Sequence, residues 1–336
     1  MKIKIDLKFW FGIVVSLFFM VLLFNKIDFR LLGTALRSAD YRYVFLAICF
    51  TFSNYFLRAV RWRYLLISEK SIPLSSLYPA TIIGYMANNL LPARLGEFIR
   101  AYMLARQEQL ETPAVFATLV IDRLFDGFTV LLLLLVTLFT LQLPAGMEDA
   151  ARALKAGGAI MFLLYCGIML FLYVLKRQTM RTLSAVGYVL KPFPKRISDN
   201  LIPLLGSFIG GIRLSPRGWH VAALIATSAG IWLFCLMAVD MTLRSFNIHL
   251  PLAASMFVLI LLVFAVMVPA SPGFIGTYHY ACYKGLSVFG IPETTSVSIA
   301  LIMHGTGFFP VIIAGFYYLW KNKISLNELQ RAEKAR

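Results

Sequence analysis

Charged and helix-breaking residues gather at three places in an otherwise apolar chain, and each place has the residue types to hold a polar group inside a membrane. The first is Asn88-Asn89-Leu90-Leu91-Pro92-Ala93-Arg94-Leu95-Gly96-Glu97-Phe98-Ile99-Arg100-Ala101. Pro92 has no amide proton and stops a helix. Gly96 permits a turn or a close backbone approach. Arg94 and Glu97 are three apart, as are Glu97 and Arg100, so each pair can meet on a helix. Two Arg against one Glu leave net positive charge, and a helix starting near Leu95 adds the positive end of its dipole. Arg also grips phosphate with a planar fork. The candidate binding residues here are Asn88, Asn89, Arg94, Glu97 and Arg100; the alternative is a charged interfacial turn.

The second cluster is Asp122-Arg123-Leu124-Phe125-Asp126-Gly127, inside an apolar run. Asp122 and Asp126 are one helical turn apart, and Arg123 can reach Asp126. A lone charge at membrane depth is costly, so mutual pairing is expected. The cluster is either an internal ion pair that fixes helix packing, or the partner of the Arg residues of the first motif, or a proton-coupled carboxylate. The third is Pro269-Ala270-Ser271-Pro272-Gly273-Phe274-Ile275-Gly276-Thr277-Tyr278-His279. Its prolines and glycines forbid a regular helix. Ser271, Gly273, Gly276 and His279 are its candidate binding residues. A plain turn is the alternative, and His304 reads as a packing residue.

These groups need a membrane scaffold. Of the 336 residues, 60% are hydrophobic and 14% are charged, which excludes an ordinary soluble enzyme and a disordered chain. The net charge of +16 would suggest nucleic acid in a soluble protein. Here positive cytoplasmic loops explain much of it, and no nucleic-acid module is visible. Cys49, Cys166, Cys235 and Cys282 stand singly and read as packing residues, and no metal or cofactor set is spaced for binding.

The expected fold is all-α and polytopic, a single membrane domain. Spans are expected at Phe9 to Phe24, Tyr43 to Leu57, Val115 to Leu141, Ala156 to Leu175, Trp219 to Leu243 and Thr295 to Trp320. The first ends in Phe24-Asn25-Lys26 and lacks a small-residue cleavage site, so it reads as a retained span. Two re-entrant helical hairpins are expected at 74–107 and 252–290, one in each half of the chain (8–141 and 156–320); the alternative is that each break is a loop between two ordinary short spans. With the N-terminus in the cytoplasm, inside segments hold 23 Lys and Arg against 8 outside, so both termini are expected inside. The hairpins then open to opposite sides, the pattern of inverted repeats. The basic segment 176–218 reads as interfacial helices on the inner leaflet.

The Arg61-Trp62-Arg63 stretch, the Asn88-to-Ala101 motif, Asp122-Arg123-x-x-Asp126 and the Pro272-to-His279 break together resemble the flippase-like membrane domain of lysylphosphatidylglycerol synthase. That family also includes stand-alone membrane proteins and the membrane part of an archaeal glycosyltransferase. The chain departs from its patterns at two places. Asp122 stands where Glu is usual, which keeps the charge. Phe274 and His279 replace a Gly and a Glu of Pro-Gly-Gly-x-Gly-x-x-Glu.

The resemblance implies movement of a lipid between leaflets rather than its synthesis, since the chain ends about 16 residues past the last expected span. The expected substrate is an anionic membrane phospholipid or a polyprenyl-phosphate lipid, in a bacterial or archaeal cytoplasmic membrane. A scaffold for a separate lipid-modifying transferase is the alternative. A membrane-embedded lipid-phosphate enzyme, using Asp122, Asp126, Glu97 and His279, is a third.

Overall fold

The computed structural model describes residues 29–66, 71–91, 95–141, 148–190, 195–211, 218–267 and 272–322. The expected span Phe9 to Phe24 lies outside them. The described residues form helices α1 (Phe29–Ser38), α2 (Tyr41–Leu66), α3 (Leu74–Leu90), α4 (Gly96–Glu108), α5 (Thr112–Thr140) and α6 (Glu148–Arg177). Then follow α7 (Thr179–Val189), α8 (Lys195–Gly211), α9 (Gly218–Ser245), α10 (Leu252–Met267), α11 (Thr277–Ser287) and α12 (Glu293–Lys321). A short 3-10 turn, Pro272–Phe274, precedes α11. The protein is an all-α polytopic membrane protein. Among the described residues, four stretches, Tyr41–Leu66, Ala156–Arg177, Gly218–Ser245 and Glu293–Lys321, are long and apolar enough to cross a membrane. The 29-residue α5 matches them in length and carries Asp122, Arg123 and Asp126 in its N-terminal half.

The lengths repeat. Helices α2, α3, α4 and α5 have 26, 17, 13 and 29 residues, and α9, α10, α11 and α12 have 28, 16, 11 and 29. At 1.5 Å per residue the long helices exceed the roughly 30 Å hydrocarbon core, and the short ones fall below it. The short pairs fold back on themselves. In the first, Gln107 donates to Ser76 Oγ at 3.1 Å, and Gly96 donates its amide to Asn88 Oδ1 at 2.8 Å, so α3 and α4 run antiparallel. Gly96 lies so close to Gly84 that an added Cβ would strike the Gly84 carbonyl. In the second, Phe257 meets Phe289 at 5.8 Å and Gly285 packs against Val258 and Leu261.

The helices that lead the two sets, α2 and α9, run antiparallel. Tyr64 packs on Trp219 at 5.7 Å, Phe50 stacks on Phe234 at 5.8 Å, and the Asp40 amide donates to the Ser245 carbonyl at 2.7 Å. The partner's number rises as the first falls. Across this pair, each hairpin's first helix packs on the other half's last helix. Tyr78 of α3 meets Tyr318 of α12 at 5.9 Å, and Val130 of α5 joins the core formed by Met256, Val258 and Leu259 of α10.

The basic segment 176–218 holds α7 and α8. Helix α8 packs on the start of α5, where Gly211 abuts the Ala114 backbone and Ser207 donates to Glu111. Lys176 donates to the Ile209 carbonyl at 3.0 Å.

Candidate functional site

Helix α2 runs nine residues past the expected end at Leu57, and this carries Arg58 and Arg61 into the interior. The expected end of this span at Leu57 is corrected: the helix continues to Leu66 and both arginines are buried. What holds them is the acid pair on α5. Arg61 Nε donates to Asp122 Oδ1 at 2.8 Å and its Nη2 donates to Asp126 Oδ1 at 2.7 Å. Arg58 Nη1 donates to Asp126 Oδ2 at 2.6 Å, with its Nε on Asn54 Oδ1 at 2.9 Å. Arg61 Nη1 reaches Ser228 Oγ on α9 at 3.1 Å. Two guanidinium groups thus neutralise two carboxylates, and their donors are largely met. Desolvated charges survive only with such pairing.

The first hairpin joins this block through longer contacts. Arg100 Nη1 lies 3.6 Å from Asp122 Oδ2, and its guanidinium sits 3.9 Å over the Trp62 ring. Gly84 makes room for it, since a Cβ there would lie 3.0 Å from Arg100 Cβ. Arg100 is 1% exposed, and among the described residues its Nε, Nη1 and Nη2 have no hydrogen-bond partner. Arg123 bridges outward. Its Nη1 donates to Asp126 Oδ2 at 3.0 Å, its Nη2 donates to the Tyr85 hydroxyl at 2.9 Å, and the same Nη2 lies 3.3 Å from Glu97 Oε1. The Arg123 side chain is 38% exposed, so the cluster has an open edge there. Among the described residues, once Arg58 and Arg61 are matched with Asp122 and Asp126, Arg100 and Arg123 face Glu97 alone. The excess is one positive charge, at the hairpin.

The second hairpin brings the other break to the first. A Cβ on Gly273 would lie 3.7 Å from the Asn89 carbonyl oxygen and 2.8 Å from Phe308. Gly273 sits at φ 77 and Gly276 at φ 93, backbone that glycine adopts freely. Phe274 takes φ 56, which puts a bulky residue in left-handed backbone, a strained conformation. His279 lies in the first turn of α11 and its Nδ1 accepts the Gly276 amide at 3.3 Å. This is the reach-back half of a capping box, the task a Glu at that position would also perform. His304 on α12 donates from Nε2 to the Gly273 carbonyl at 2.8 Å, and its ring lies 4.8 Å from that of His279.

Of the sequence-derived candidates, Glu97, Arg100, Asp122, Arg123 and Asp126 lie in one contiguous cluster. Asn88 caps α4, occupying the Gly96 amide that the dipole argument offered to an anion. Asn89 contributes backbone where the breaks meet, and Gly273, Gly276 and His279 shape the second break. Arg94 and Ser271 lie outside the described residues. Sequence reasoning missed Arg58, Asn54, Tyr85, Ser228 and the hairpin contact of His304, and it gave Arg61 and Trp62 only as part of the resemblance, without a role. One available signal was an internal repeat: Pro92-x-x-Leu95-Gly96 recurs as Pro272-x-x-Ile275-Gly276.

A buried ion block tying α2 to α5, beside two pairs of short helices, defines an all-α polytopic membrane protein with charged groups held in its interior. The chain belongs to the family described as the lysylphosphatidylglycerol synthase TM region, which matches residues 9–315. It is 24% identical to a UPF0104 membrane protein of Methanothermobacter thermautotrophicus over 90% of this chain and 91% of the relative. A UPF0104 membrane protein of Methanocaldococcus jannaschii is 20% identical over the same shares, 90% and 91%. The glycosyltransferase AglD of Haloferax volcanii is 29% identical over 44% of this chain and 24% of that protein. No solved structure matches.

Proposed function

We propose that this protein moves a phosphate-bearing lipid between the leaflets of a cytoplasmic membrane, with both termini on the cytoplasmic side. The observation that carries this reading is the excess positive charge at the first hairpin, where the Arg100 guanidinium is buried on Trp62 with no hydrogen-bond partner among the described residues. Arg123, at the open edge, meets the headgroup first. Its phosphate then accepts from Arg123 Nε and from the Arg100 fork, and the acyl or prenyl tails stay in the bilayer. Asp122 and Asp126, tied to Arg58 and Arg61, cancel the deeper charges and hold α2 against α5. The hairpins move against this fixed block, so that the headgroup is exposed to one side and then the other.

Lipid mass spectrometry on gently purified protein tests the reading. A phosphate-bearing lipid should co-purify with the unmodified chain and be depleted with Arg100→Gln; equal retention by both removes the site.

A second reading is a membrane scaffold for a separate lipid transferase. The match to only 24% of a longer glycosyltransferase favours it. Leaflet transfer by the purified chain alone would argue against it.

A further inference from the structure

We propose that His279 is a proton-binding site whose occupancy opens the second hairpin break, which goes beyond the lipid reading and does not depend on it. The argument begins with the two ring nitrogens. A backbone N–H only donates, so the Nδ1 atom that accepts from Gly276 carries a lone pair, and His279 is the neutral tautomer with its proton on Nε2. A carbonyl only accepts, so His304 carries its proton on Nε2, toward Gly273. The two rings stand edge to face at 4.8 Å, at an interplanar angle of 82°.

A second proton on His279 has one place to go, which is Nδ1. An imidazolium has no acceptor left, so the Gly276 amide and the new N–H would point at each other. The new charge would also sit at the positive end of α11. Both effects drive the ring out of its place, and with it the cap that closes the break. His304 differs: a proton on its Nδ1 leaves the bond to Gly273 intact.

The described groups around His279 offer no compensating charge. Among the described residues, α12 presents His304, α11 itself presents Tyr278 at 6.1 Å between rings, and Cys282 follows three residues on. Helix α10 packs on α11 through the apolar Val258 and Leu261, and α3 brings the Asn89 backbone to Gly273. In the open break the imidazole meets water and titrates near its ordinary value, about 6.5. Below that pH, single-proton linkage raises the open population up to about tenfold per pH unit.

The test is hydrogen–deuterium exchange of residues 276–283 in the full chain in lipid nanodiscs. It runs between about pH 8 and about pH 5, spanning the imidazole range, after correction for intrinsic exchange. Protection should fall by up to about tenfold per unit below about 6.5. His279→Gln, which can accept the same bond without titrating, should be flat, and His304→Gln should keep the slope. A flat profile in the unmodified chain, or a full slope in His279→Gln, overturns the proposal. If His279→Gln fails to fold, nitrogen NMR of the unmodified chain decides: Nδ1 of His279 must gain a proton as protection falls, and a ring that stays singly protonated overturns it. Neither readout uses transport, so the outcome is separable from that of the lipid reading.

Discussion

Arg61 Nε donates to Asp122 Oδ1 at 2.8 Å, and both side chains are wholly excluded from solvent. The two residues are 61 apart in the chain, so the bond ties α2 to α5 rather than stiffening one helix. Breaking a buried pair by removing one member costs about 3–5 kcal/mol, because a charge is left without its partner. Replacing both by apolar residues costs far less. Arg61→Met should therefore lower thermal stability strongly in detergent, and Arg61→Met with Asp122→Leu should recover part of the loss. Thermal unfolding of the three proteins at one protein-to-detergent ratio checks this.

Gly96 and Gly84 let the arms of the first hairpin touch. A methyl group at Gly96 would strike the Gly84 carbonyl, which is backbone and cannot swing aside. Gly96→Ala should splay the hairpin and reduce the yield of monodisperse protein. Gly157, in α6, has nothing within 4 Å of an added Cβ. Gly157→Ala should be neutral or gain up to about 1 kcal/mol from helix propensity. Size-exclusion profiles of the two variants separate a steric effect at Gly96 from a general cost of changing glycine.

The second break makes a different demand. Gly273 has φ 77, and an added Cβ would lie 2.8 Å from the Phe308 ring. The left-handed backbone alone costs an ordinary residue about 1–2 kcal/mol. Gly273→Ala should lower stability by at least that much, and adding Phe308→Ala should relieve the clash but not the strain. Incomplete rescue in thermal unfolding is the expected result; full rescue would mean that the φ angle carries no cost.

How much of this was readable in the sequence depends on whether a residue's partner was local. Asp122, Arg123 and Asp126 announced themselves as charges in an apolar run, and the Arg123–Asp126 contact follows from helical spacing. Pro92 and Pro272 marked the breaks for the same reason. Arg58 and Arg61 were hidden, because a charge at the end of an apolar run looks like a cytoplasmic flank. Their partners are 61 to 68 residues away, beyond the reach of periodicity. His304 read as packing since its bond goes to a backbone carbonyl 31 residues earlier, and a carbonyl leaves no mark on a sequence. The inverted arrangement was inferred from charge counts that included Arg58, Arg61 and Arg100, all buried in the structure. What the structure itself shows is the antiparallel pairing of α2 with α9.

Arg100 supplies the most direct test of the lipid site. Its guanidinium contributes stacking on Trp62, about 0.5–2 kcal/mol, so Arg100→Gln should fold. A charge-assisted hydrogen bond to phosphate is worth about 1.5–3 kcal/mol, which corresponds to roughly a tenfold or greater change. The decisive measurement is leaflet-to-leaflet transfer of a labelled phospholipid in proteoliposomes holding equal amounts of each protein. The unmodified chain should transfer the lipid, Arg100→Gln should be slower by at least about tenfold, and Arg100→Lys should fall between them. Equal rates for all three would contradict a headgroup site at the first hairpin.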